Sequence, residues 1–376
     1  MKLVFSFFTA ALLVVSCESK VSNSNQPSQI HDVAEVASPT VEALPESFYK
    51  KFTGNVGELP IVMDLNRDST KLTGSYYYSK VGIPMLLEGT IQSDGSFELK
   101  EFNDEMVNTA RMFGVISPTG TLTGTWQHVK KGNTLPLQLL EKTIGIAQVS
   151  FNDFEKKNCK FEGKLNKEMF DAEYGCTTLS VRMANVSTTS PDASRKINTS
   201  IFQSACESAN LEREISSMEQ LMDRVNISSP DEGFNGEIFF SMVSNDNNIL
   251  TLSKFSSWYN FGAAHPEYYT LFDNYDIRTG EKIRLEDILI SNYEYELNRI
   301  AEPKFMEKYG TEGDWDFEPG NFQLSKNFAV MPGGLLFHFN PYEVGPYSSG
   351  APELFLSFKE INRLLNPNGM LAMMKR

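Results

Sequence analysis

Histidine is scarce in this chain, occurring only at His31, His128, His265 and His338. His265 lies in the run Gly262-Ala263-Ala264-His265-Pro266, with Glu267 and Tyr268 directly after it. A second run begins near His338 and continues through Pro341, Tyr342, Glu343, Gly345, Pro346 and Tyr347 to Gly350. An imidazole, a carboxylate and a phenol can move protons if they converge on one substrate atom. Tyrosine also suits plain binding, because its ring buries apolar area while its hydroxyl stays polar. In the third reading the glycines and prolines fix turns, and His265 hydrogen-bonds across to the second loop. All three readings share one set of candidate ligand-binding residues: His265, Tyr268, Tyr342, Glu343 and Tyr347.

Other chemistries lack their residues. Zinc needs three or four convergent ligands, and neither H-E-x-x-H nor C-x-x-C occurs. The nucleophile elbow G-x-S-x-G and the phosphate-cradling G-x-x-x-x-G-K are also missing. We therefore assign no catalytic residue, no metal and no cofactor, and expect a binding protein rather than an enzyme. Two rival expectations are a glycan- or peptidoglycan-modifying enzyme built on the His265 loop, and a structural envelope protein with no ligand.

The elements that must position these loops fall into two regions. In residues 47–142 apolar residues alternate with polar ones, as in Ile61, Met63, Leu65 and again Leu72, Tyr76, Tyr78. Asp94-Gly95 between two such runs is a strong hairpin signal. The run Leu72-Thr73-Gly74-Ser75-Tyr76 recurs as Leu122-Thr123-Gly124-Thr125-Trp126. Glycine inside a strand often marks a sharp bend, so the repeat predicts an all-β coiled sheet or small barrel. The cluster Tyr76, Tyr77, Tyr78 and Trp126 could line a ligand mouth or belong to the core.

Residues 143–376 mix strands and helices. Strands are expected over 146–154, 168–176, 179–186, 236–243, 249–259, 267–277, 335–339 and 353–358. Ser190-Pro191 opens a helix with an apolar stripe at Ile197, Ile201 and Phe202. A second helix carries Leu211, Ile215, Met218 and Met222, a third spans 293–309, and a short one 359–365. Helices interrupt antiparallel hairpins here, which makes the class α+β with a mainly antiparallel sheet.

The N-terminus gives an address. Lys2 precedes an apolar run over residues 3–15, which falls short of the roughly 20 residues a membrane span needs. Val14-Val15-Ser16-Cys17 resembles a bacterial lipobox, which implies cleavage after residue 16 and a lipid on Cys17. Residues 17–46 are polar and aperiodic, a tether reaching about 30 Å as a flexible coil. The expected location is the bacterial cell envelope, lipid-anchored, on the periplasmic face or outer surface. In that oxidising setting Cys159 and Cys176, flanking a hairpin-like segment, are expected to form a disulfide stabilising by about 3 kcal/mol, the alternative being two buried thiols. Losing Lys2 takes the formal charge from −14 to −15. Such a chain repels nucleic acid and would steer a basic protein toward itself.

Several runs in order carry a family resemblance: Gly262-Ala263-Ala264-His265-Pro266, then Tyr275-Asp276-Ile277-Arg278-Thr279-Gly280, then Leu285-Glu286-Asp287-Ile288-Leu289, and finally 336–350. They resemble the domain of unknown function that ends the anti-sigma factor RsiV and accompanies the deacetylase PdaC. The likeness covers a companion region at about 147–225 and a core domain at about 230–366. It implies a receptor-like binding role outside the cell, since the RsiV domain binds lysozyme and the PdaC chemistry resides in another domain. The chain shows no membrane-spanning segment after the leader, so an anti-sigma role is not implied. The partner classes that follow are a lysozyme-like basic protein or a cell-wall glycan.

Overall fold

The computed structural model describes residues 43–103, 105–158, 177–205, 234–310 and 315–372. Cys17, Cys159, Cys176 and Cys206 lie outside them, as do His31, the expected strand at 168–176 and the expected helix at 211–222.

Eight strands form a closed antiparallel barrel. They are β1 (Ser47–Val56), β2 (Leu59–Asp68), β3 (Lys71–Tyr78), β4 (Met85–Ile91), β5 (Ser96–Phe102), β6 (Asn108–Ile116), β7 (Thr121–His128) and β8 (Thr134–Glu141). Closure comes from β1 pairing with β8, from Phe52↔Glu141 to Val56↔Leu137. Inward-facing side chains fill the lumen, among them Met63, Leu65, Leu72, Leu99, Met112 and Leu122, all buried. An eight-stranded barrel is about wide enough for that and no wider. The repeated glycines supply the curvature. A Cβ on Gly74 would sit 1.9 Å from the Asp64 carbonyl oxygen, and one on Gly124 would sit 2.2 Å from that of Phe113. Glycine alone allows the neighbouring strand so close, which turns the coiled sheet of the sequence reading into a closed barrel.

The barrel's aromatic cluster divides between core and seam. Tyr76 and Trp126 are buried and donate to one oxygen of the buried Glu101, at 2.6 and 2.8 Å, while Thr109 donates to the other. Burial, then the Glu101 charge, pushes the Tyr76 phenol far above its usual pKa, so it stays a donor. Tyr77 points outward to Asp246 of the next region.

That region contains a five-stranded sheet, order β13-β12-β11-β10-β9. Its strands are β9 (Gln148–Asn158), β10 (Thr177–Ser187), β11 (Phe234–Asp246), β12 (Ile249–Asn260) and β13 (Glu267–Asp276). Only β10 and β11 run parallel; the other pairs are antiparallel. Helix α1 (Pro191–Ala205), capped by the Ser190 hydroxyl, buries Ile197 and Ile201 in the core of this sheet. A three-stranded antiparallel sheet follows: β14 (Phe328–Met331), β15 (Gly334–His338) and β16 (Glu353–Ser357). Against it pack the short α2 (Leu285–Ile288) and α3 (Tyr293–Tyr309), which buries Tyr293, Leu297, Ala301 and Phe305. The helix expected at 359–365 is reduced to a 3-10 turn at Asn362–Leu364. This is an α+β arrangement.

Two sets of polar contacts join these parts. Between barrel and sheet, Tyr77 donates to Asp246 at 3.5 Å, and within the barrel wall, between β1 and β2, buried Lys51 donates to both oxygens of Asp64 at 2.9 Å while Tyr49 donates to Asp64 at 2.6 Å. Lys142 pairs with Asp246, and the Asn245 amide exchanges two hydrogen bonds with the Ala147 backbone. Between the two sheets, Asn274 (2% exposed) donates to the Phe328 carbonyl and accepts from Val330 N–H. Asn327 exchanges two hydrogen bonds with the backbone of Phe272 and Thr270.

Removing one partner of a buried pair strands the other charge. Asp64→Ala should cost about 3–5 kcal/mol in denaturant unfolding. The double variant Lys51→Met, Asp64→Leu should recover most of that loss. A cost of Asp64→Ala under about 1 kcal/mol would show that Lys51 finds water and that the pair is not structural.

Candidate functional site

Two type II turns face each other at one end of the five-stranded sheet. In the β12–β13 loop, Ala263 N–H donates to the Asn260 carbonyl, with Gly262 at φ 84°. In the β15–β16 loop, Glu343 N–H donates to the Asn340 carbonyl, with Pro341 and Tyr342 as central residues. Tyr342 has φ 71°, a position that normally takes glycine or asparagine. The Glu343 carboxylate holds the turn by accepting from Asn340 N–H at 2.9 Å and from the Ser325 hydroxyl at 3.1 Å. The Asn340 side chain accepts from Thr270 N–H at 2.7 Å, fixing this loop to the edge of β13.

The second loop then covers the first. The ring of Tyr347 stacks on His265, centroids 3.7 Å apart and planes 19° from parallel. Its hydroxyl donates to the Pro266 carbonyl at 2.7 Å. Tyr268 meets the Tyr347 ring edge-on at 5.7 Å, and Tyr342 lies 5.9 Å away and 63% exposed. Partial desolvation, then the neighbouring Tyr268 and Tyr342, raises the Tyr347 phenol above its ordinary pKa. His265 Nδ1 sits 3.0 Å from the Pro266 carbonyl, a contact that requires a proton on Nδ1.

Four of the five candidate residues therefore converge: His265, Tyr268, Tyr342 and Tyr347. Glu343 is committed to its own turn. His265 meets the second loop by stacking, and the cross-loop hydrogen bond runs from Tyr347 to Pro266. No carboxylate hydrogen-bonds to His265 among the described residues. The arrangement is an aromatic platform with one imidazole, Tyr342 exposed and His265, Tyr268 and Tyr347 half-buried, suited to stacking against a ring or burying apolar surface of a partner. His338 belongs elsewhere: it is buried, with Nδ1 2.9 Å from Glu353, its ring edge toward Phe272 and its Nε2 without a partner among the described residues. His128 accepts backbone N–H groups of Lys130 and Lys131 in its own hairpin.

Two clefts lie apart from the platform. One, about 880 Å³, separates α1 from the β13–α2 connection. Its lysines are already paired, Lys196 with Glu281 and Lys282 with Asp273. The other, about 630 Å³, lies between the barrel and the five-stranded sheet.

Sequence reading missed Asn327 and Asn340, which hold the loops in place. A signal existed for Asn340: asparagine before Pro341 is a turn-starting pair.

Two outcomes test the geometry. Asn340→Ala should cost about 1–3 kcal/mol in thermal or denaturant unfolding, because Thr270 N–H loses its acceptor. Tyr342→Gly should leave stability unchanged or raise it by up to about 1 kcal/mol, since relief of the left-handed backbone outweighs glycine's unfolded-state entropy. A clear loss of stability in Tyr342→Gly would mean that the exposed ring contributes packing its surroundings do not suggest.

Comparison with known proteins adds a domain match over part of the chain but no activity. No curated protein matches the chain. A solved structure from Bacteroides fragilis NCTC 9343, described as a member of the DUF3298 family, is similar at 18% identity, covering 60% of this chain and 97% of that one, with a TM-score of 0.49. A DUF3298 family protein from Pseudomonas aeruginosa PAO1 is similar at 18% identity, covering 58% and 95%, with a TM-score of 0.44. Residues 286–359, from α2 through β16 and including the Tyr342–Tyr347 loop, match the family model "Protein of unknown function (DUF3298)", so this stretch carries a DUF3298 domain.

Proposed function

We propose that this protein is a lipid-anchored binding module of the bacterial cell envelope, and that its aromatic platform docks a basic protein of the lysozyme class. The observation that carries the reading is Tyr342, 63% exposed and held at φ 71° by a turn that Asn340 and Glu343 fix through hydrogen bonds. Strained backbone persists only where its surroundings over-determine it, and such residues cluster at sites of function. Exposed tyrosines beside one another are typical anchors of protein interfaces. A formal charge near −15 after loss of Lys2 adds long-range attraction for a cationic partner. Anchored through Cys17, the module works on the outer side of its membrane, with the residues between Cys17 and Leu44, itself buried in the barrel core, as its tether.

The test is titration of the purified protein with a lysozyme at low and at physiological salt. We expect saturable binding at micromolar levels, weakening with salt, and at least about tenfold loss in the Tyr342→Ala, Tyr347→Ala double variant. Absence of saturable binding removes the lysozyme class. Binding indifferent to the double variant moves the contact off the platform. Platform-dependent binding of peptidoglycan fragments instead would reassign the partner to a glycan.

A further inference from the structure

The cleft between barrel and sheet is a second site, independent of the aromatic platform. Its volume of about 630 Å³ is within the usual range for small-ligand pockets, and it lies between two structural regions, where such pockets concentrate. The Lys142–Asp246 pair and the Tyr77–Asp246 hydrogen bond tie barrel to sheet, and the buried Tyr49–Asp64–Lys51 cluster stiffens the barrel wall beside the cleft. Tyr49 itself forms part of the wall.

The lining is rich in planar polar groups. Asn66 from β2, Gln148 from β9 and Asn185 from β10 line it. None of these three side-chain amides hydrogen-bonds to another described residue, although each offers two donors and an acceptor. Beside them Arg182 forms a bidentate pair with Asp153, at 2.6 and 2.9 Å, and Arg182 also lies over the Phe151 ring at 5.9 Å. That fork first, with some contribution from Asp68 on the barrel wall, raises the Arg182 pKa above its ordinary value. Asp68 and Asp153 nearly offset the cationic residues Arg67, Lys71 and Arg182, so neither sign of charge dominates. Phe48 and Phe151 add apolar faces.

A ligand matching this lining carries many groups that each donate and accept, no large net charge, and a flat apolar face for an aromatic ring. Sugar rings have that combination, since every hydroxyl is both donor and acceptor and the C–H groups form the apolar face. We propose that this cleft binds a neutral saccharide, held by the amides of Asn66, Gln148 and Asn185 and the Arg182–Asp153 pair, with Phe151 beneath.

Calorimetric titration of the full protein with two probes, the N-acetylglucosamine trisaccharide and maltotriose, tests this. We expect saturable binding of at least one, with a dissociation constant below about 1 mM. The Gln148→Ala, Asn185→Ala double variant replaces two exposed side chains, so it should fold normally and bind about tenfold more weakly. The Tyr342→Ala, Tyr347→Ala variant should bind the saccharide as the parent does, which separates this site from the platform. No saturation by either probe up to about 10 mM overturns the proposal. So does unchanged affinity in the Gln148/Asn185 variant, or loss confined to the platform variant.

Discussion

The outer edge of β13 is the constraint on which the C-terminal half depends. An edge strand exposes unpaired N–H and C=O groups, which must be satisfied or left as a template for association. Among the described residues no further strand takes that place, only an isolated bridge between Tyr275 and Lys282. Asparagine side chains do: Asn327 accepts from Phe272 N–H and donates to the Thr270 carbonyl, and Asn340 accepts from Thr270 N–H. An amide side chain copies the backbone's own donor and acceptor, so it can cap a strand without continuing the sheet. Asn274 extends the set inward by reaching from β13 to Phe328 and Val330 of β14. The three-stranded sheet is thereby fixed against the five-stranded one. The fixing also decides which loops meet, because Asn340 both binds β13 and starts the turn that carries Tyr342.

The barrel attaches by a different kind of contact. Its interior is apolar apart from Glu101 and the groups that donate to it, and it meets the sheet through polar groups such as Tyr77 and Lys142. A buried pair such as Lys51 with Asp64 adds little net stability, because desolvation offsets most of the attraction. It is demanding in geometry, however, since either partner alone would be a stranded charge. Tyr49 completes the set by donating to Asp64, and burial, then the Asp64 charge, keeps its proton on. That set fixes the barrel wall, while the directional bonds that reach the sheet, from Lys142 and Tyr77 to Asp246, restrict its placement more than a purely apolar contact would.

These physical differences explain what the sequence revealed. Period-2 alternation and the Leu-Thr-Gly repeat exposed the strands of the barrel, because its one-sided burial writes a plain pattern. Gly74 and Gly124 indicated curvature but not closure, since closure depends on β1 reaching β8 across about 80 residues of chain. In the α+β half the elements with strong periodicity were legible, including α3 and the β11–β12 hairpin. Strand β14 was not: four consecutive buried residues, Phe328 to Met331, carry no alternation. The convergence of His265 with Tyr347 could be suspected from residue types alone. Its form, a stack covered by a hydroxyl on Pro266, depends on Asn327 and Asn340, whose roles involve backbone groups that leave no trace in composition.

The platform's geometry bears on the kind of work it can do. Acid–base catalysis by His265 would need a carboxylate or phenol aimed at a ring nitrogen, and a proton path to substrate. Tyr347 is instead face-on to the imidazole, with its hydroxyl spent on Pro266, and Glu343 is spent on the turn. What these bonds achieve is to hold aromatic rings at the surface with little freedom left to lose on association. Ordering costs of that kind are a main charge against affinity, so a rigid exposed ring is worth more to binding than a mobile one. The left-handed Tyr342 extends the same logic, because the turn accepts backbone strain to keep that ring outward. The DUF3298 match at residues 286–359 includes this loop but not His265, so the platform is shared between the matched domain and the strand pair it caps.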